Sequence, residues 1–183
     1  VSPLQFADLK MEEKFTEKTR TIGISPGNLK VEITEDALIA DPALAAKRLG
    51  GLKKKGFRIS IDDFGTGYAS LAYLRDFPAD EIKIDRSFTM NLSPGSYEHI
   101  LTEHFVSLIQ DLGMESVAEG VETQAQLDLL EKMVCHRGQG YYFSRPLPPE
   151  EVKRLLQEQP FMSRGTQGCC GWRKQPAGSG SPD

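Results

Sequence analysis

Arg58–Gly67 reads RISIDDFGTG, and the architecture follows from it. Four residues suited to a β-strand, Arg58–Ile61, run into two adjacent acids, Asp62 and Asp63, and the chain then turns through Gly65–Thr66–Gly67. Short runs of this kind bounded by turn residues suit buried parallel strands. The form recurs along the chain, predicting strands at Leu29–Thr34 (LKVEIT), Arg58–Asp62, Glu81–Asp85 (EIKID), Glu115–Ala118 (ESVA) and Gly140–Phe143 (GYYF). Helical signals fall between them. Asp41 is an N-cap with Pro42 at the first helical position, and Gly50–Gly51 weakens the helix that follows. Leu101, Phe105, Leu108, Ile109 and Leu112 share a helical face that Gly113 ends. Thr123 and Gln126 fit a capping box, and Pro149 opens a last helix carrying Val152, Leu155 and Leu156. Strand–helix alternation means an α/β fold with a parallel sheet, either doubly wound or part of a (β/α)8 barrel, which takes ~250 residues. Length alone leaves both open.

The 183 residues suffice for one domain with a sizeable core. Lys and Arg total 22 against 26 Asp and Glu, a net charge of −4, which argues against a nucleic-acid polymer or an anionic membrane surface as partner. No apolar run approaches the ~18 residues of a membrane-spanning helix. Three cysteines, Cys135, Cys169 and Cys170, form neither a paired framework nor a C-x-x-C motif, which fits a reducing cytoplasmic setting. The chain opens on Val1 without Met and reads as a piece of something longer. Residues 161–183, with Cys169, Cys170 and Trp172, have no periodicity and read as a disordered tail behind a domain at 1–160.

The acids carry the chemistry. Glu32 and Glu35 lie in VEITE, Asp62 and Asp63 in IDDFGTG, Lys83 and Asp85 in KID, Glu119 and Glu122 in AEGVE, and Gln139 opens QGYYF. In a parallel sheet the C-terminal strand ends share one rim, so these groups converge. Gathered carboxylates repel one another unless cations lie between them, and hard oxygen donors favour Mg²⁺ or Mn²⁺. Two such ions about 4 Å apart suit in-line attack on a phosphate ester. A single acid is more simply a loop charge, but of two adjacent acids after a strand one must face inward. His99, His104 and His136 fit no zinc pattern and read as surface or packing residues.

VEITE, IDDFGTGYASL, KIDRSF, VAEGVET and QGYYFSRPLP, in this order, resemble the EAL domain, the bacterial cyclic di-GMP phosphodiesterase family, from Val1 to about Leu156. The resemblance implies a variant (β/α)8 TIM barrel lacking its first strands here. It implies two-metal hydrolysis of cyclic di-GMP to linear pGpG by Mg²⁺ or Mn²⁺. Glu32, Asp62, Asp63 and Glu119 match metal ligands, and Glu119 also matches the group that takes a proton from water. Lys83 matches the lysine that contacts the attacking water or the phosphate. Glu122 and Gln139 match supporting groups, Asp85 the KID aspartate beside the metals, and Arg145 the basic position. Glu35 matches a residue holding the DFGTG loop, through which the family dimerises. An upstream sensory or cyclase domain is a further expectation. The Glu-Ala-Leu segment and an asparagine that also bind metal in the family are absent, as is a substrate-touching arginine. The expectation is therefore a fragment that is inactive or marginally stable alone. The alternative is a degenerate, non-catalytic domain that binds cyclic di-GMP or a protein partner. A different metal phosphatase, on an open sheet, is a third reading. Val134 and His136 stand where the family usually has Gly and Asp.

Overall fold

The structure, a computed structural model, describes residues 1–8, 10–67 and 71–158. The expected tail, with Cys169, Cys170 and Trp172, lies outside the described residues. The elements are α1 (Pro3–Ala7), α2 (Met11–Ile22), β1 (Lys30–Thr34), α3 (Glu35–Ile39), α4 (Pro42–Lys54), β2 (Arg58–Phe64) and α5 (Leu71–Leu74). They continue with β3 (Glu81–Ile84), α6 (Arg86–Met90), α7 (Tyr97–Asp111), β4 (Glu115–Ala118), α8 (Gln124–Lys132), β5 (Arg137–Gly138) and α9 (Pro149–Glu158). The five strands are parallel and lie in the order β1-β2-β3-β4-β5. A doubly wound sheet reverses its strand order at a switch point. This one never reverses, so the path is that of a TIM-barrel wall.

Strand residues two apart share a face, and here the two faces differ in chemistry. Val31, Ile33, Ile59, Ile61, Ile82, Ile84 and Ala118 form one face, all buried. Helices α3, α4 and α7 pack against the strands; they bring Leu38, Leu49, Leu52, Val106 and Ile109 into the same core. Each such side chain, fully buried, contributes about 1.5–3 kcal/mol. The other face is mostly polar: Lys30, Glu32, Ser60, Asp62, Glu81, Lys83 and Glu115 alternate with the apolar set, with Glu32, Ser60, Glu81 and Glu115 in one row across the sheet and the buried Val117 beside Lys83. A barrel directs such a face inward, and this alternation is what delivers charged groups to one rim.

The local signals hold. Asp41 caps α4 by accepting the Leu44 N–H at 3.0 Å, with Pro42 in the first turn. Thr123 and Gln126 form the capping box of α8. The expected strand at Gly140–Phe143 is not a strand: pairing with β4 comes earlier, at Arg137–Gly138, and residues 141–143 turn. A Cβ on Gly140 would lie 2.2 Å from the Val121 carbonyl oxygen, so only glycine lets the chain press against that backbone. Tyr142 and Phe143 then fold back onto the core, which is why their strand-like composition misleads.

The end of α8 carries a strained residue. The Val134 N–H donates to Glu131 O and the Cys135 N–H to Leu130 O, both at 3.0 Å, the two bonds of a Schellman motif. That motif needs a left-handed residue, and Val134 supplies it at φ 60°. A β-branched side chain there costs about 1–2 kcal/mol. Val134 is 52% exposed, so its side chain recovers little by packing. Val134→Gly is expected to stabilise the protein by about 1 kcal/mol after glycine's greater unfolded-state entropy is subtracted. A shift of the urea midpoint to higher concentration checks this, and a lower midpoint refutes it.

Candidate functional site

The rim is built by the C-terminal ends of β1–β4. Adjacent residues of a regular strand point to opposite faces, so Asp62 and Asp63 should separate. They do not. The β2–β3 register shifts between Ile61 and Phe64, and Asp63 adopts φ 57°. Aspartate tolerates that conformation better than most residues. The bulge turns both carboxylates to one place, where oxygens of Asp62, Asp63 and Glu119 lie within 4.8 Å of one another. Of the two acids the sequence obliges one to face inward; the bulge brings both.

Lys83 reaches this group from β3. Its Nζ lies 2.7 Å from Asp62 Oδ1, 2.6 Å from Glu119 Oε1 and 3.5 Å from Glu32 Oε2. Burial alone would pull the ammonium toward deprotonation, but hydrogen bonds and charge from Asp62 and Glu119 outweigh it and hold its pKa above the ordinary lysine value. Burial raises the pKa of Asp63, and the charges of Asp62 and Asp85 add to it. Burial also raises Glu119, partly opposed by its hydrogen bond to Lys83. The carboxylates are thus held close at an electrostatic cost. An all-oxygen donor set with that cost suits a hard divalent cation, so the residues present fit a metal of the Mg²⁺ or Mn²⁺ type.

The surrounding residues sort themselves. Glu35, 3% exposed, accepts the Gly65 N–H at 2.8 Å, tying the start of α3 to the loop after Asp63. A Cβ on Gly67 would come within 2.8 Å of Glu35 Oε1, so the loop wraps that carboxylate closely. Asp85 caps α6 by accepting the Ser87 N–H at 2.9 Å, with its charge still felt at Asp63. Asp36 also raises Asp63 by its charge, and its place directly after Glu35 is the signal for it in the sequence. Glu122 is exposed, and its backbone N–H donates to Gln126 Oε1. Gln139 is exposed too, and its backbone joins Ala118 and Val121. Arg145 stacks over the Tyr141 ring at 4.7 Å. His136 is exposed, and its Nδ1 accepts the Ser116 N–H at 3.2 Å.

A parallel barrel wall with carboxylates gathered at its C-terminal rim defines an α/β protein of the TIM-barrel kind. The EAL domain model matches residues 1–146, and the chain belongs to the EAL domain family. Cyclic di-GMP phosphodiesterase NbdA of Pseudomonas aeruginosa is 42% identical over 139 residues, which are 76% of this chain and 18% of that protein. PaMucR phosphodiesterase in complex with c-di-GMP superposes with a TM-score of 0.80 at 38% identity, over 83% of this chain and 62% of that one. Klebsiella pneumoniae BlrP1, solved with manganese and cyclic di-GMP, gives 0.71 at 30% identity, over 78% and 37%. The chain spans about a fifth of the length of the curated relatives it matches. No helix among the described residues is long and apolar enough to cross a membrane.

Proposed function

We propose that this chain carries the catalytic rim of a phosphodiesterase that hydrolyses one phosphodiester of cyclic di-GMP to linear pGpG. The observation that carries the reading is the bulge-driven convergence of Asp62, Asp63 and Glu119 within 4.8 Å, with the Lys83 ammonium against it. Asp62, Asp63, Glu119 and Glu32 would hold two Mg²⁺ or Mn²⁺ ions. Such ions, when bound, acidify water and screen phosphate charge. Glu119 would accept the proton from the attacking water as the water oxygen bonds to phosphorus; the P–O ester bond breaks with its electron pair on the leaving ribose oxygen, which takes a proton from solvent. Lys83 donates to the phosphoryl oxygens as negative charge develops on them. Glu35, through Gly65, fixes the loop that sets Asp63. Asp85, Glu122, Gln139 and Arg145 support the substrate side of this rim.

The same reading includes a cytoplasmic setting, homodimerisation through the loop at 63–67, and a sensory or cyclase domain in the parent polypeptide, which the greater length of the curated relatives supports. The test is incubation with cyclic di-GMP and Mn²⁺ or Mg²⁺, with the linear product followed by chromatography. Product that vanishes in Asp63→Asn is the expected result when the chain is assayed within its parent polypeptide, and little or no product is expected from the 183 residues alone. Saturable binding without product in that parent would sink the hydrolase reading in favour of a cyclic di-GMP receptor.

A further inference from the structure

Lys83 is only 5% exposed, and its ammonium has no bulk water to lean on. An ammonium offers three N–H donors, and three carboxylates, Asp62, Glu119 and Glu32, lie within 3.5 Å of it. Asp62 and Glu119 are also two of the three acids whose oxygens come within 4.8 Å of one another. Among the described residues, Lys83 is the basic side chain paired with both. A divalent ion that took those oxygens would meet the ammonium already there. A cation bound to one state of a site and an ion bound to another compete, and the competition is reciprocal.

We propose that Lys83 is a built-in counter-ion: its ammonium occupies the Asp62–Glu119 oxygen pair in the metal-free protein, holds the rim together, and must release that pair when a divalent ion enters. The inference rests on reading the rim as a metal site and goes further by giving Lys83 a second task. Lys83 then has two positions, one on the carboxylates and one on the phosphate, and metal entry moves it from the first to the second. It also sets the metal affinity. Three nearby carboxylates without a cation would bind a divalent ion more tightly, but the metal-free protein would carry their unrelieved repulsion. The lysine trades affinity for a stable empty state.

Lys83→Met separates this role from that of a lysine that only touches substrate. In chelator, the variant is expected to melt below wild type. In Mn²⁺ titrations by calorimetry without substrate, it is expected to bind about tenfold or more tightly, within the 5–150-fold typical of coupled sites. Equal melting in chelator, or Mn²⁺ binding no tighter than in wild type, overturns the proposal. If wild type binds no Mn²⁺, the metal reading itself fails, an outcome distinct from wild type binding with the variant unchanged. A readout on the unaltered chain covers a variant that does not fold. The Lys83 side-chain nitrogen resonance, followed by NMR while diamagnetic Mg²⁺ is added, is expected to shift as the ammonium leaves Asp62 and Glu119. A resonance that stays fixed while Mg²⁺ binds overturns the proposal.

Discussion

Asp62→Asn is expected to weaken Mn²⁺ binding by at least about 100-fold and to slow cyclic di-GMP hydrolysis on the order of 10³-fold. Asp62 acts on the rest of the cluster: its Oδ1 lies 2.7 Å from Lys83 Nζ, and its charge raises both Asp63 and Glu119. Asparagine keeps the size and the bulge geometry but removes one negative charge and turns half the group into a donor. Even supporting groups around a metal cost 10–100-fold when lost, so a direct oxygen donor should cost more. The net stability should change little, because Lys83 loses one carboxylate partner but keeps Glu119 and Glu32, while Asp63 and Glu119 are relieved of a neighbouring charge. Calorimetric titration and product chromatography on the same preparation, with an unfolding curve as control, check the three parts. Unchanged Mn²⁺ affinity would remove Asp62 from the metal site. Loss of affinity together with a large fall in stability would mean that the residue is structural.

The rim was legible in the sequence for a topological reason. Parallel strands place their C-terminal ends together whatever their order, so Glu32, Asp62, Lys83 and Glu119 could be gathered before their geometry was known. Capping was legible because it is local: Asp41 with Pro42 and Thr123 with Gln126 are satisfied within one helical turn. Features that depend on a partner strand were not. The bulge that aims Asp63 exists only in the register between β2 and β3, and nothing in IDDFGTG specifies a shift. Gly140–Phe143 misleads because its aromatic side chains suit a strand, whereas its backbone is committed to a turn by the contact of Gly140 with Val121. Glu81 illustrates the third kind of gap. It lies two residues before Lys83 on the same face, yet EIKID gives no sign that its first acid is paired and its last is a helix cap.

Glu81→Ala is expected to cost on the order of 3 kcal/mol of stability, the largest loss of any polar substitution away from the rim. Glu81 is 1% exposed. Its carboxylate takes Lys30 Nζ at 2.6 Å, Ser60 Oγ at 3.0 Å and Arg137 at 3.3 Å, joining the first residues of β1, β3 and β5 with a side chain of β2. Arg137 continues the chain of charge to Glu115 at 2.8 Å. This layer closes the N-terminal end of the polar face, as the carboxylates and Lys83 close the other. A buried ion pair adds little over a well-packed apolar pair, but removing one partner leaves the others desolvated and unpaired. Lys30 is 28% exposed and Arg137 46%, so both regain some water, which keeps the estimate at the low end of the range for broken buried pairs. Arg137→Ala should then cost far less, about 1 kcal/mol, because its side chain is half in solvent and Lys30 still neutralises Glu81. Glu81→Gln divides charge from shape: it keeps the volume and a bond to Ser60 but abandons both cations. Urea unfolding of the three variants at constant slope measures the differences. If Glu81→Gln matches wild type, the layer is held by packing and hydrogen bonds. If it falls with Glu81→Ala, charge at the barrel's closed end holds the strand register on which the opposite rim depends.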